Sequence, residues 1–351
     1  MQYNGWDKDY LENKEMYMTL FDKVMQEDND KNVEFLEKKI ANYVDRKYTI
    51  AVNSATDALY YSLLCYDIGY GDEVLVSDFS WISSASCIEM AGATPIFCDI
   101  DLDSYHISFE EIQKKTTKRT KALIYTHLFG NMTDTKEIEA FCKNNNIIFI
   151  EDAAQSLGSI YHSRYAGSIG DISSFSFNNN KVIAGISGGG MVLTDNEDHA
   201  KHVRKLRRHG KDSDFEMLGY NSKMFYINAA FIEMRFDRIE ELQLMRTNIA
   251  YKYHEALEDI NVIRQVPHLG HKHNYHKYII RFENKTIRDE VKEELGASIH
   301  YDKPISGNSM FQRVTCKNAQ IAADTVLSLP IHPYVSEDEI LKTSMIIGMI
   351  V

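Results

Sequence analysis

The chain has no run of about 18 or more apolar residues, so no transmembrane helix is expected. Its opening stretch, MQYNGWDKDYLENKEMY, lacks the charged-then-apolar layout of a secretory leader. Paired cysteines are missing too. Cys65, Cys87, Cys98, Cys142 and Cys316 are odd in number and scattered, with no C-x-x-C. Reduced thiols in a cytoplasmic protein are the expectation. Positive charge is in deficit: 39 Lys and Arg stand against 51 Asp and Glu, a formal net charge of -12. That argues against a protein that grips nucleic-acid backbones. The basic cluster RKLRRHGK (204–211) reads as a solvated helix end. There is no G-x-x-x-x-G-K-[ST] and no strand-linked G-x-G-x-x-G, so neither the nucleoside-triphosphate loop nor the dinucleotide fingerprint applies.

What is present is a large apolar fraction, 44% of 351 residues, enough for one large domain and a smaller one. The first half alternates short apolar runs with helix-like segments. YTIAV (48–52), EVLVSD (73–78), TPIFCDI (94–100), KALIYTH (121–127) and IIFIEDA (147–153) are the runs. This alternation predicts a parallel sheet covered on both faces by helices. DISSFSF (171–177) and GGMVLTD (189–195) are further candidates for the same sheet. From Asn221 the texture changes. INAAFIEMRFDRIEELQLMRTNIAYKYHEALEDI has helical character without glycine or proline, as one bent helix or two. A strand at KYIIRF, a helix at IRDEVKEELG, a strand at SIHY and a last helix after Ser336 follow. SIHYDKPIS and LSLPIHP (327–333) look like turns stiffened by Pro304, Pro330 and Pro333. The predicted class is α/β, with a large domain over 1–238 and a small α+β domain over 239–351.

Several stretches carry candidate chemistry. EDAAQS ends an apolar strand with Glu151, Asp152 and Gln155, where open α/β sheets bind ligands. Taken alone, the motif reads more readily as a helix cap at Asp152. NSATDAL (53–59) places Ser54, Ala55 and Thr56 at a helix N-terminus, either as an anion site or as simple capping. Trp81 follows another strand end. It is either a flat stacking surface or an ordinary aromatic of the core or its edge. HLGHKHNYH holds His268, His271, His273 and His276 at spacings that match no zinc pattern, and an exposed loop is the better account. FSFNNNKVIAGISGGG sets a single lysine, Lys181, between two apolar segments beside three glycines.

Taken in order, these pieces resemble one family, the DegT/StrS-like nucleotide-sugar aminotransferases of the fold-type I pyridoxal-phosphate enzymes. The resemblance rests on GDISSFSFNNNKVIAGISGGGMVLTDN and FIEDAAQSLGS. VNSATDALYYSL, GATPIFCDID, LGYNSKMFYINAAF, IHYDKP and LSLPIHP support it. It covers the chain from about residue 35 onward. It implies the large and small domains of that fold, pyridoxal 5'-phosphate as cofactor and its pyridoxamine form as intermediate. By the resemblance, Lys181 forms the Schiff base and Asp152 pairs with the ring nitrogen. Gln155 lies near the ring hydroxyl, and Trp81 stacks on the ring. Ala55, Thr56 and Ser176 hold the phosphate, with Asn221 reaching it from a partner subunit of a homodimer. His300 and Tyr301 are candidate substrate contacts. The implied reaction moves an amino group from L-glutamate to C3 or C4 of a nucleotide-linked keto-sugar. A sugar dehydratase relative would carry histidine in place of Lys181, and a non-catalytic regulatory relative would lose Lys181, Asp152 or the phosphate grip. Two departures from the family pattern stand out. Ser187 replaces an acidic residue before the glycines, and QEDNDKNVEFLEKKI replaces a glycine-rich entry.

Overall fold

The computed structural model describes residues 4–26, 30–265, 267 and 270–351. The chain begins with helices α1 (Trp6–Glu12), α2 (Lys14–Gln26) and α3 (Asp30–Val44). Alternation follows: β1 (Tyr48–Val52), α4 (Ala55–Leu64), β2 (Glu73–Ser77), α5 (Ser83–Met90), β3 (Thr94–Cys98), α6 (Phe109–Lys115), β4 (Thr120–Thr126), α7 (Lys136–Asn144) and β5 (Ile148–Asp152). Two short strands, β6 (Ile160–Tyr161) and β7 (Arg164–Tyr165), precede β8 (Ile172–Ser176) and β9 (Gly190–Thr194). Then come α8 (Glu197–Leu206), α9 (Tyr226–Phe236) and α10 (Ile239–Ala256). The remainder is β10 (Ile263–Arg264), β11 (His271–Lys272), β12 (Tyr278–Arg281), α11 (Lys285–Leu295), α12 (Lys317–Thr325), β13 (Val326–Leu329) and α13 (Glu337–Ile350).

The main sheet has seven strands in the order β1-β9-β8-β5-β4-β2-β3. Its strands are parallel except at β9, which runs antiparallel to both β1 and β8. Successive strand residues point to opposite faces, and both faces are apolar. Ile50, Val52, Val74, Val76, Ile124 and Ile150 pack with Leu59 of α4, Ile88 of α5 and Val203 of α8. Ala51, Leu75, Leu123 and Phe149 pack with Leu36 and Ile40 of α3, Ile138 of α7 and Ile232 of α9. Each fully buried aliphatic side chain contributes about 1.5–3 kcal/mol, so this two-sided core fixes the strand ends on which the site is built.

The smaller α+β domain holds the sheet β10-β12-β13. Tyr278, Ile280, Leu327 and Leu329 pack against Tyr253 of α10, Val291 of α11 and Ile340 and Ile347 of α13. Local chemistry sets its helix ends. Asn284 caps α11, and Gly296 closes it in the left-handed conformation. Ser336 and Glu339 form a capping box on α13. Residue 238, the expected division, lies between α9 and α10.

The structure corrects several local readings. SIHY is not a strand. The Tyr301 ring sits 5.3 Å from that of Phe79 and 5.9 Å from that of Phe129, and this aromatic packing takes the segment away from the sheet. Part of LSLPIHP is a strand rather than a turn: Leu327, Ser328 and Leu329 pair with β12. Pro330 only ends that strand, as proline does where a ladder needs an N–H. The histidine run is not an exposed loop. His271 lies in β11, and His273 and His276 are buried, while His268 lies outside the described residues. Arg207 of the basic cluster is engaged rather than solvated, donating to Glu37 and to the Ala51 carbonyl.

Candidate active site

Parallel strands β4, β5 and β8 end on one edge, with Thr126, Asp152 and Ser176. Because β9 runs the other way, it starts at that edge, where Gly190 pairs with both Ser176 and Val52. The connection 177–189 therefore arches over the carboxyl ends of the strands and carries Lys181 into a cavity of about 450 Å³. Nine of the ten residues singled out in the sequence line it. They are Ala55, Thr56, Trp81, Asp152, Gln155, Ser176, Lys181, His300 and Tyr301. Asn221 is exposed and outside this chain's own cavity.

The Asp152 carboxylate is fixed by three donors. Ser84 Oγ and Thr126 Oγ1 donate to Oδ2 at 3.0 and 3.2 Å, and the Ala154 N–H donates to Oδ1 at 3.2 Å. Glu151 points to the other face. It accepts from His127, from the backbone of Gly167 and from Ser173, and it is a structural carboxylate. Gln155 is locked: its Oε1 accepts from the Phe129 N–H at 2.9 Å, and its Nε2 donates to the Tyr301 hydroxyl at 2.8 Å. Trp81 is 57% exposed and lines the cavity.

Part of the Lys181 side chain opens onto the cavity, but protein surrounds its amine. That desolvation pushes the amine down to about 8, against a smaller opposing pull from Asp152. A second lysine, Lys277, is pushed down to about 7 by burial and then by Lys181. Burial likewise holds His276 and His300 well below the ordinary histidine range.

The rim at α4 is an anion cradle. The first N–H groups of a helix have no partner within it. Ser54 Oγ takes that of Asp57 at 3.1 Å, and the backbone of Ala55 and Thr56 faces the cavity. Gly190 makes the close approach possible. A Cβ there would lie 2.2 Å from the Ser54 carbonyl and 2.5 Å from the Ala55 nitrogen. Gly188 and Gly189 adopt φ of +83° and +138°, which glycine alone takes readily. Ser187 stands at the rim, its N–H donating to Asn228 Oδ1 at 3.2 Å.

The model of the DegT/DnrJ/EryC1/StrS aminotransferase family matches residues 12–346. The chain belongs to that family. It is 30% identical over 345 residues to a pleiotropic regulatory protein of Geobacillus stearothermophilus, covering 94% of this chain and 93% of that one. It is 32% identical over 322 residues to a UDP-N-acetyl-3-dehydro-alpha-D-glucosamine 3-aminotransferase of Acidithiobacillus ferrooxidans, covering 89% and 86%. A crystal structure of a DegT DnrJ EryC1 StrS aminotransferase from Brucella abortus superposes with a TM-score of 0.92 at 28% identity, over 99% of this chain and 98% of that one.

The DegT/DnrJ/EryC1/StrS fold is of the fold-type I pyridoxal-phosphate aminotransferase type, and the residues present suit that cofactor. A desolvated amine, a fixed carboxylate, an exposed aromatic side chain and a helix N-terminus that a Cβ at Gly190 would crowd are the parts an aldehyde, a ring nitrogen, a flat ring and a phosphate require. One of these parts, the fixed carboxylate, depends on two residues the sequence reading passed over, Ser84 and Thr126. Thr126 ends β4 in register with Asp152, which only the folded sheet shows. Ser84 carried no signal beyond its closeness to Trp81.

Proposed function

We propose that this chain transfers an amino group from L-glutamate to C3 or C4 of a keto-deoxysugar linked to a nucleotide, using pyridoxal 5'-phosphate. The observation that carries the reading is the meeting of Lys181, Asp152 and the α4 N-terminus in one cavity. The amino-transfer named for the Acidithiobacillus relative supports the substrate class. When bound, the cofactor supplies an aldehyde that ferries nitrogen and a ring that withdraws electrons.

The chain's own groups do the rest. Lys181, with an amine near 8, exists partly neutral at physiological pH, so it can attach to an aldehyde and then take and return a proton. Asp152, oriented by Ser84 and Thr126, would pair with the cofactor's ring nitrogen. Ala55, Thr56 and Ser176 would hold its phosphate, and Asn221 would add to that grip from the partner of a homodimer. Trp81 would stack on the ring, and Gln155, tied to Tyr301, would meet its hydroxyl. His300 and Tyr301 contact the sugar or the amino donor. A regulatory relative without chemistry is disfavoured, because lysine, carboxylate and cradle are all retained.

A cytoplasmic setting fits five cysteines that stand as free thiols. Among the described residues, no helix is long and apolar enough to cross a membrane.

Borohydride treatment of the purified protein followed by peptide mapping tests the central assignment. Cofactor fixed on Lys181 is the expected result, and a label on any other lysine refutes it. Incubating the pyridoxamine-loaded protein with a panel of keto-sugar nucleotides then identifies the acceptor by the return of the visible absorption.

A further inference from the structure

The N-terminal helices reach the lysine connection from outside the cavity. Trp6 of α1 donates its indole N–H to the Asn179 carbonyl at 2.9 Å, two residues before Lys181. Arg235 of α9, only 6% exposed, donates to the Ala184 carbonyl, three residues after it. The two supports form one unit. The Arg235 guanidinium lies 4.1 Å from the centre of the Trp6 ring, and its Nε donates to the Tyr17 hydroxyl at 3.0 Å. Tyr17 of α2 donates in turn to buried Asp9. Asp9 also receives Arg238 at 2.8 Å and the hydroxyl of Tyr334, which comes from beside α13 in the small domain.

Two internal bonds shape the connection itself. Lys181 N–H donates to Asn178 O at 2.9 Å, and Gly185 N–H donates to Phe177 O at 2.8 Å. They curl the backbone but do not anchor it to the body of the protein. The carbonyls of Asn179 and Ala184 are where Trp6 and Arg235 grip it from outside. Burying donors such as Arg235 and Tyr17 is costly unless they are satisfied. Here Arg235 spends one bond on the Ala184 carbonyl of the lysine segment and another on Tyr17, which passes the link on to Asp9.

We propose that α1 and α2 form a strap that sets the position of Lys181, with Trp6, Tyr17 and Arg235 as positioning residues; this rests on Lys181 being the lysine that bears the cofactor. The strap thus acts from behind the site, on the lysine rather than on the substrate. Through Asp9 and Tyr334 the strap also ties the lysine to the small domain.

Trp6→Phe removes the indole donor and keeps a ring for Arg235 to cover. Tyr17→Phe removes the hydroxyl that joins Arg235 to Asp9. Both are studied as cofactor-loaded protein. Three quantities are measured: the pH midpoint of the visible absorption change, the rate of cofactor loss into a scavenger, and kcat and KM. The charged and titratable groups facing Lys181 are Asp152, His276, Lys277 and His300. Neither variant alters them, so a moved midpoint reports a moved lysine.

The expected result is a midpoint shifted by about half a pH unit or more, and cofactor lost several-fold faster. With it goes a kcat lowered roughly tenfold at unchanged sugar KM, the signature of a displaced reacting group. A midpoint and loss rate equal to wild type in the folded variants overturns the strap; if only one variant folds, its result decides. Borohydride mapping of the wild-type protein separates the two readings. A label off Lys181 sinks the catalytic assignment, whereas a label on Lys181 with unmoved variants sinks the strap alone.

Discussion

At the scale of single residues, the amine of Lys181 gives up its proton near pH 8 instead of the ordinary 10.5. Its pKa is lower in the folded chain than in the unfolded one. The unfolded state therefore binds more protons between those two values, and stability rises with pH across that window. Below about 8 the cost of burying the charge is fully present. Cofactor-free Lys181→Met should accordingly melt higher than cofactor-free wild type at pH 7, with the gap closing towards pH 10.5. Relief of Lys277, whose amine Lys181 also depresses, acts in the same direction. Thermal scans at both pH values check this, and an equal gap at pH 7 and 10.5 refutes it. The residues that line the cavity were legible in the sequence, because lysine, aspartate and small hydroxyls at strand ends occur together there in the family's order. The residues that hold them were not. Ser84 and Thr126 act on Asp152 across 68 and 26 positions of chain, and only the packing of α5 and the register of β4 show the contacts.

At the scale of elements, the reversal at β9 is what returns the chain to the carboxyl edge of the sheet. Its first residue must also slide against the α4 N-terminus. Gly190→Ala places a methyl group 2.2 Å from the Ser54 carbonyl, which backbone cannot yield to cheaply. The expected outcome is a loss of cofactor affinity of tenfold or more, about 1.4 kcal/mol at least, read by titrating cofactor-free protein with pyridoxal 5'-phosphate. Affinity equal to wild type would show that the cradle does not depend on this approach. The strands of the main sheet were readable from their apolar runs and lie within two residues of their expected bounds. The direction of β9 was not, since an apolar run reads the same in either sense. In the small domain the aromatic pull on Tyr301 and the cluster of prolines masked the true strand at Val326–Leu329.

At the scale of the whole molecule, several large apolar side chains stand exposed: Trp81 at the cavity, and Ile186, Leu218 and Phe225, Leu218 to 93%. Exposed apolar surface suits cover by a second copy, the arrangement under which Asn221 would serve a neighbouring site. Lys181→Ala and Asn221→Ala subunits, each inactive alone, should regain activity when unfolded together and refolded. Each hybrid dimer then holds one intact site, giving about a quarter of wild-type activity for random pairing. No recovery would mean that each chain builds its site alone. The two-domain plan was legible because the alternating pattern stops near Asn221. The packing of the first helices was not, because their partners lie at the far end of the chain.

That distance has a consequence for how the molecule is made. Trp6 waits for Asn179, Tyr17 for Arg235 and Asp9 for Tyr334, separations of 173, 218 and 325 positions. Long closures of this kind come late in folding. During synthesis the main sheet up to β9 can assemble with Asn179 already in place for Trp6, while Tyr17 and Asp9 still lack Arg235 and Tyr334. These helices emerge before their partners, and the lysine they steady is fully set only once Tyr334 has been translated.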